Sequence, residues 1–182
     1  MHPSMERARR LSRYMQWFLL LVGVLVIAAT IYIAVLALTE PGWIETIFSN
    51  KYAGGRKVYL SGNQALLMFI LTLAQVTIFC VALFALWHAF GTVARNEAIN
   101  RETALWIRRS GMGFTATAVL MLLSHPLNSI IGSLGAAPGQ KFLSVQIGTP
   151  ELMTFLVSSV LIVFGHIIVL AADISDDNKL IV

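Results

Sequence analysis

The sequence predicts an all-α integral membrane protein: a four-helix bundle with both termini on one side and a small extracytoplasmic cap on the other. Two observations carry that expectation. Four apolar stretches, 14–38, 65–90, 114–134 and 152–172, fill most of the 182 residues, and none of them contains Asp, Glu, Lys or Arg. Charged residues make up 12% of the chain and hydrophobic residues 57%, so the charged share is about half that of a soluble domain. A hydrocarbon core about 30 Å thick is crossed by roughly 20 apolar helical residues rising about 1.5 Å each. Every stretch reaches that length. Four crossings and their loops use up the chain, which predicts a single transmembrane domain over residues 1–182.

The first span follows Arg7, Arg9, Arg10 and Arg13. A basic flank before an apolar run also describes a signal peptide, but a signal h-region is only about 7–15 residues long. The longer run at 14–38 reads as an uncleaved signal anchor, and both Met1 and Met5 suit a start of translation. Lys and Arg then set the orientation. The N-terminal tail, the middle loop (Arg95, Arg101, Arg108, Arg109) and Lys179 put nine basic residues on one side, against Lys51, Arg56, Lys57 and Lys141 on the other. Basic residues concentrate in cytoplasmic loops, so both termini and the middle loop are expected in the cytoplasm of a bacterial inner membrane. The net charge of +4 then reports topology and anionic headgroups rather than direct nucleic acid binding. The lone Cys80 has no partner for an intramolecular disulfide and reads as a small apolar packing residue.

The outer loops come next. Glu40-Pro41-Gly42 stops the first helix. Trp43, Ile44, Ile47 and Phe48 recur at helical spacing, which suits a short helix lying either on the membrane surface or over the mouth of the bundle. Two similar β-prone segments follow, Gly55-Arg56-Lys57-Val58-Tyr59-Leu60-Ser61 and Gly139-Gln140-Lys141-Phe142-Leu143-Ser144, and they predict a cap of two short strands. On the inner side, Asn100 suits an N-cap and Glu102 suits a helix N-terminus. An interfacial linker helix from Arg101 is expected, with Gly111 and Gly113 bending it into the third span.

Polar side chains inside an apolar span need a reason. Pro126 follows His125, removes a backbone donor and predicts a kink. Counting rise per residue places Thr72, Gln75, His125, Asn128, Ser158 and Ser159 in one layer, as a candidate intramembrane cluster. It reads either as a ligand, proton or ion site or as hydrogen-bonded packing at a proline kink. His88 and His166 also share a depth, and two histidines on separate helices can hold a haem axially. They are weak haem-ligand candidates, in a chain for which no cofactor and no other metal is expected. No metalloprotease, dithiol, nucleophile-elbow or phosphate-loop motif occurs, and the acidic residues lie only in loops and tails. The sequence therefore reads as non-enzymatic, the one exception being a haem-bearing redox protein.

The middle loop resembles a bacterial four-helix inner-membrane family, domain of unknown function 2975. Its signature has the form Phe-Thr-x-Glu-Asn-Ala-x-x-Leu-Arg-x-x-Gly. Glu102, Ala104, Arg108 and Gly111 match it, and Ile99, Asn100, Thr103 and Ile107 depart conservatively. Asp177-Asn178 and Val182 resemble the family's tail. The resemblance implies a bacterial inner-membrane protein and brings no activity. Members are sometimes encoded beside a small DNA-binding regulator, a setting that fits a regulatory role.

The expected function is that of an accessory or regulatory multipass membrane protein. Its cytoplasmic face would carry Arg95, Arg101, Glu102, Arg108, Arg109, Asp173, Asp176 and Asp177 and would meet a cytoplasmic or membrane protein partner. Topology and lipid contact account for the same charges without a partner. The alternative function is a haem-binding or small-molecule or ion-translocating bundle. Reporter fusions at Asn50 and Asn100 are expected on opposite sides of the membrane; the same sidedness at both would overturn the topology.

Overall fold

The computed structural model describes residues 3–53, 58–96, 101–134 and 141–179, and for 172–179 it describes the backbone alone. Five helices follow in order: α1 (Pro3–Thr39), α2 (Pro41–Tyr52), α3 (Gly62–Asn96), α4 (Arg101–Ser133) and α5 (Thr149–Lys179). Among the described residues four helices, α1, α3, α4 and α5, are long and apolar enough to cross a membrane. The all-α expectation holds, and each long helix runs beyond its predicted span. α1 takes in the basic N-terminal tail, and α4 begins at Arg101 rather than in a separate linker. Apolar content marks only the part of a helix that lipid can cover, so the polar turns beyond it were invisible to that measure.

The long helices form an open up-and-down row. α1 packs on α3, α3 on α4, and α4 on α5; no Cα of α3 comes within 8 Å of α5, nor any Cα of α1 within 8 Å of α4 or α5, among the described residues. A small apolar cluster ties the row together, with Leu19 of α1, Ala82 and Leu83 of α3 and Phe114 of α4 at its centre and Leu161 of α5 against it. Most large apolar side chains face outward, including Leu21, Leu25 and Ile31 of α1 and Leu156, Val163 and Phe164 of α5. A water-soluble protein rarely exposes so continuous an apolar surface, whereas lipid is a solvent for it.

Small residues set the close approaches. Ala82, Ala85, Ala89 and Thr92 form a buried stripe on α3, at helical spacing on one face. A Cβ on Gly113 would lie 2.8 Å from Cβ of Ala82, and one on Gly111 would lie 3.0 Å from the backbone nitrogen of Ile162 and 3.1 Å from the carbonyl oxygen of Ser158. These glycines seat α3 and α5 against α4, and α4 is a single helix from Arg101 through both glycines and through Pro126.

The end of the row away from the arginines is closed by α2 and two irregular segments. Pro41 starts α2, with its backbone preset for the first helical turn. Phe48 is buried against Gly132 of α4. α2 therefore packs over the mouth of the bundle and along α4, rather than only on a membrane surface. Residues 58–60 run back beside α2: Ser49 Oγ accepts from the Val58 amide at 3.1 Å, and a Glu45 carboxylate oxygen accepts from Leu60 at 3.3 Å. α3 then starts on a reciprocal cap, in which Gln64 Oε1 accepts from the Ser61 amide at 2.8 Å and Ser61 Oγ accepts from the Gln64 amide at 3.4 Å. Residues 141–148 return along α4, where Ser129 Oγ accepts from the Ser144 amide at 2.8 Å and donates to the Phe142 carbonyl at 3.1 Å.

Among the described residues the predicted two-stranded cap is not formed: residues 58–61 and 141–148 are irregular. Each segment hydrogen-bonds to a neighbouring helix instead of to its counterpart. The Gly55–Lys57 and Gly139–Gln140 portions of that expectation, and Asn100 as an N-cap, lie outside the described residues.

Gly111→Val is expected to destabilise the protein by about 1–3 kcal/mol through overpacking at Ile162 and Ser158. Gly23→Val, where a Cβ meets nothing within 4 Å, is expected to be close to neutral. Unfolding of the two variants in detergent, side by side, checks the contrast.

Candidate functional site

Two places concentrate polar chemistry, one at each end of the row. The first lies where α2 packs on the last turns of α4. His125 and Asn128 are three residues apart on α4 and so share a face, and both are buried, at 7% and 8% exposure. The Tyr52 ring lies against the imidazole of His125 with centroids 5.2 Å apart, and Asn128 Nδ2 donates to the Tyr52 hydroxyl at 3.3 Å. Phe48 stacks on the far face of Tyr52 at 5.0 Å. His125 Nδ1 and Asn128 Oδ1 are buried and make no hydrogen bond among the described residues.

The 141–148 segment returns along α4 before α5 starts, so α5 begins well short of the end of α4. Glu151 is buried at 6% exposure, and its Oε2 accepts from the Gly148 amide at 2.8 Å. An acid in the third helical position reaching back to the cap amide is half of a capping box, and it sits in the positive end of the helix dipole. Glu151 and the exposed Lys51 both lie within electrostatic reach of His125.

The expected six-residue cluster is not brought together. His125 and Asn128 meet, but the other four lie elsewhere. Thr72 is at a similar depth but exposed, its hydroxyl donating to the Met68 carbonyl of its own helix at 2.9 Å. Gln75 is half-buried on α3. Ser158 is fully buried beside Gly111 of α4, about 15–20 Å along the axis from His125 at the helical rise. Ser159 is exposed and donates to the Phe155 carbonyl at 2.8 Å. The depth count failed because it placed the outer ends of α4 and α5 level, whereas the descending connector starts α5 lower. Tyr52 and Glu151 were missed as site residues. The Thr149-Pro150-Glu151 run is a helix-start signal that would have found Glu151; nothing local marks Tyr52, which α2 carries to α4.

The second place is the arginine-rich end. Arg95, Arg101, Arg108 and Arg109 are exposed there. Arg109 stacks its guanidinium over Trp106 at 4.8 Å, and Arg95 Nε donates to the Gly91 carbonyl at 3.2 Å. Arg108 packs its stem against Gly165 of α5. Glu102 lies 4.0 Å from His88 Nε2, and the His88 ring packs on Trp106 with centroids 4.4 Å apart. Thr92 and Thr103 share a buried hydroxyl hydrogen bond of 2.7 Å between α3 and α4. Asp173, Asp176 and Asp177 fall on the last turns of α5, and their side chains lie outside the described residues.

His88 and His166 do share a depth, but α4 lies between their helices. His166 is exposed, with Nδ1 3.0 Å from the Ile162 carbonyl of its own helix. No cluster of three or more His, Cys, Asp or Glu side chains suited to a metal ion occurs among the described residues.

An apolar groove of about 440 Å³ opens between α1 and α3, lined by Ile27, Ile31, Leu73, Val76, Cys80 and Phe84 among others. Its Thr77 hydroxyl donates to the Leu73 carbonyl at 2.7 Å, so this polar atom is satisfied within its own helix.

Compared with protein-family models, curated proteins and solved structures, the chain gives no match.

Tyr52→Phe is expected to strip the Asn128 amide of its partner, at a cost of about 1–3 kcal/mol for a buried unsatisfied donor. Hydrogen exchange should then quicken in α2 while the middle of α5 is unchanged. Uniform exchange behaviour in wild type and variant would show that this hydrogen bond does not hold α2 in place.

Proposed function

We propose that this chain is a non-catalytic accessory or regulatory protein of the bacterial inner membrane, with both termini in the cytoplasm. It would act through the arginine-rich end of its helix row on a cytoplasmic or membrane protein partner. One observation carries the reading: Arg95, Arg101, Arg108 and Arg109 are exposed at one end of helices whose other surfaces are apolar. Arg109 is held over Trp106, and Arg108 rises from the close contact of α4 with Gly165 of α5. The Arg109 charge is thus held on a helix rather than on a free tail, and less side-chain entropy is lost when it meets an acidic surface. Guanidinium groups suit carboxylates and phosphates through paired donors.

The middle-loop resemblance to the family called domain of unknown function 2975 supports the same reading, since Glu102, Ala104, Arg108 and Gly111 all lie at this end. The lack of a recognisable catalytic motif supports a role in binding rather than turnover. A lipid surface alone would also attract these arginines, and the test separates the two.

Full-length protein carrying R108E/R109E is expected to lose about tenfold of a co-purifying acidic partner, equivalent to about 1.4 kcal/mol of binding free energy. It should still fractionate with membranes. Capture equal to that of the wild type would reject the surface.

A further inference from the structure

At the arginine-rich end α3 sets one histidine against the charged turns of α4. The His88 ring lies on Trp106 with centroids 4.4 Å apart, and its Nε2 is 4.0 Å from a Glu102 carboxylate oxygen. Glu102, Trp106 and Arg109 are spaced by four and three residues and share one α4 face. The Arg109 guanidinium lies 4.8 Å from the centroid of the same Trp106 ring. One turn along α3 from His88, the Thr92–Thr103 hydrogen bond of 2.7 Å fixes the register in which these groups meet. Glu102 sits in the first turn of α4, where the helix dipole favours a carboxylate. His88 is half-buried and Glu102 exposed, so protons reach both from solvent. At 4.0 Å the two groups are too far apart for a hydrogen bond and close enough for an ion pair. Their contact becomes a charge pair only when His88 carries a proton.

We infer that His88 is a proton switch on the arginine surface: protonated, it pairs with Glu102 and raises the affinity of that surface for an acidic partner. The inference rests on the proposed function and adds the regulation of the same surface. Histidine is the side chain that ordinarily changes charge between pH 5 and 8. With His88 neutral, the Glu102 carboxylate stands in the same first turns of α4 as Arg101, Arg108 and Arg109 and repels an acidic partner. With His88 protonated, the pair is neutral and the face is more positive by one charge. The imidazolium then also lies on the Trp106 ring as a cation. Charged groups reach His88 from three helices. α4 brings Glu102 and Arg109, and α3 itself brings Arg95, seven residues on and on the same face. α1 packs on α3 at Trp87, where Gln16 Nε2 donates to the Trp87 carbonyl at 3.3 Å, and carries Arg9 and Arg13 on the Gln16 face. The arginines keep their charge over this range of pH. His166 of α5 is separated from His88 by α4. His88 is thus the group beside Glu102 whose charge a fall in pH changes.

The experiment uses the full chain in phosphatidylcholine nanodiscs, with rhodamine-labelled poly-aspartate as the probe, whose carboxylates stay ionised at both pH 8.0 and pH 6.0. At constant ionic strength, binding is expected to strengthen about threefold from pH 8.0 to pH 6.0, the scale of one partly exposed charge. His88→Gln should abolish this response, and His166→Gln, at the same end of the row, should keep it. Glu102→Gln removes the acid and leaves His88 in place; at pH 8.0 it should bind about as tightly as the wild type does at pH 6.0. R108E/R109E tests the surface itself and should weaken binding at both pH values. Binding by R108E/R109E equal to that of the wild type would reject the surface and the switch with it. Where R108E/R109E does weaken binding, the surface stands. An equal pH response in wild type and His88→Gln, or Glu102→Gln binding no tighter than the wild type at pH 8.0, would then overturn the switch alone.

Discussion

The structure depends on how closely two helices can approach α4. In lipid no hydrophobic force drives one helix onto another, so association rests on backbone proximity and interhelical hydrogen bonds. α4 supplies both along its length. Gly111 and Gly113 remove the side chains that would hold α5 and α3 away. Ser110 donates to the Ala82 carbonyl at 2.9 Å, and Thr103 shares its hydroxyl with Thr92. α4 thus becomes the axis on which α3, α5 and α2 are assembled. It is also the least apolar of the four long helices and the most buried, because its neighbours, rather than lipid, cover its polar face.

That central position explains why the polar chemistry gathers on α4. His125, Asn128 and Ser129 would be costly facing hydrocarbon. The chain folds α2 and the 141–148 segment down over them, and Ser129 is fully satisfied by that segment. His125 and Asn128 are covered by Tyr52, and each keeps one atom without a hydrogen bond among the described residues. The same return of the 141–148 segment along α4 lowers the start of α5. The segments that close the mouth of the row are therefore also the ones that cover the polar side chains of α4.

The two ends of the row differ in electrostatic character for a related reason. At the arginine-rich end the helices run past the apolar zone, and their charged side chains are exposed, with Arg109 steadied over Trp106. At the other end Glu151 is buried, its carboxylate closing the first turn of α5 on the Gly148 amide. α1 is at the edge of the row. It touches α3 along one side and presents apolar side chains over most of its circumference, as a lipid-facing anchor would.

Helix type, number and approximate placement were legible in the sequence because an apolar run of spanning length has few other uses. Its charge asymmetry likewise set an expected orientation. His125 and Asn128 were legible as polar residues out of place in an apolar run. Which residues meet them was not, because partners on other elements depend on interhelical register, and register depends on contacts such as Gly111 with Ile162 that no local pattern encodes. The two similar loop segments suggested strands because their composition is β-prone; in the fold each finds hydrogen bonds on an adjacent helix first. What the amino-acid order decided by itself was the set of helices and the solvent that suits them. What tertiary structure alone decided was the open row, the return of the 141–148 segment along α4 and the meeting of Tyr52, His125 and Asn128, because small side chains fix where helices touch and connectors fix how far each one starts along its neighbour.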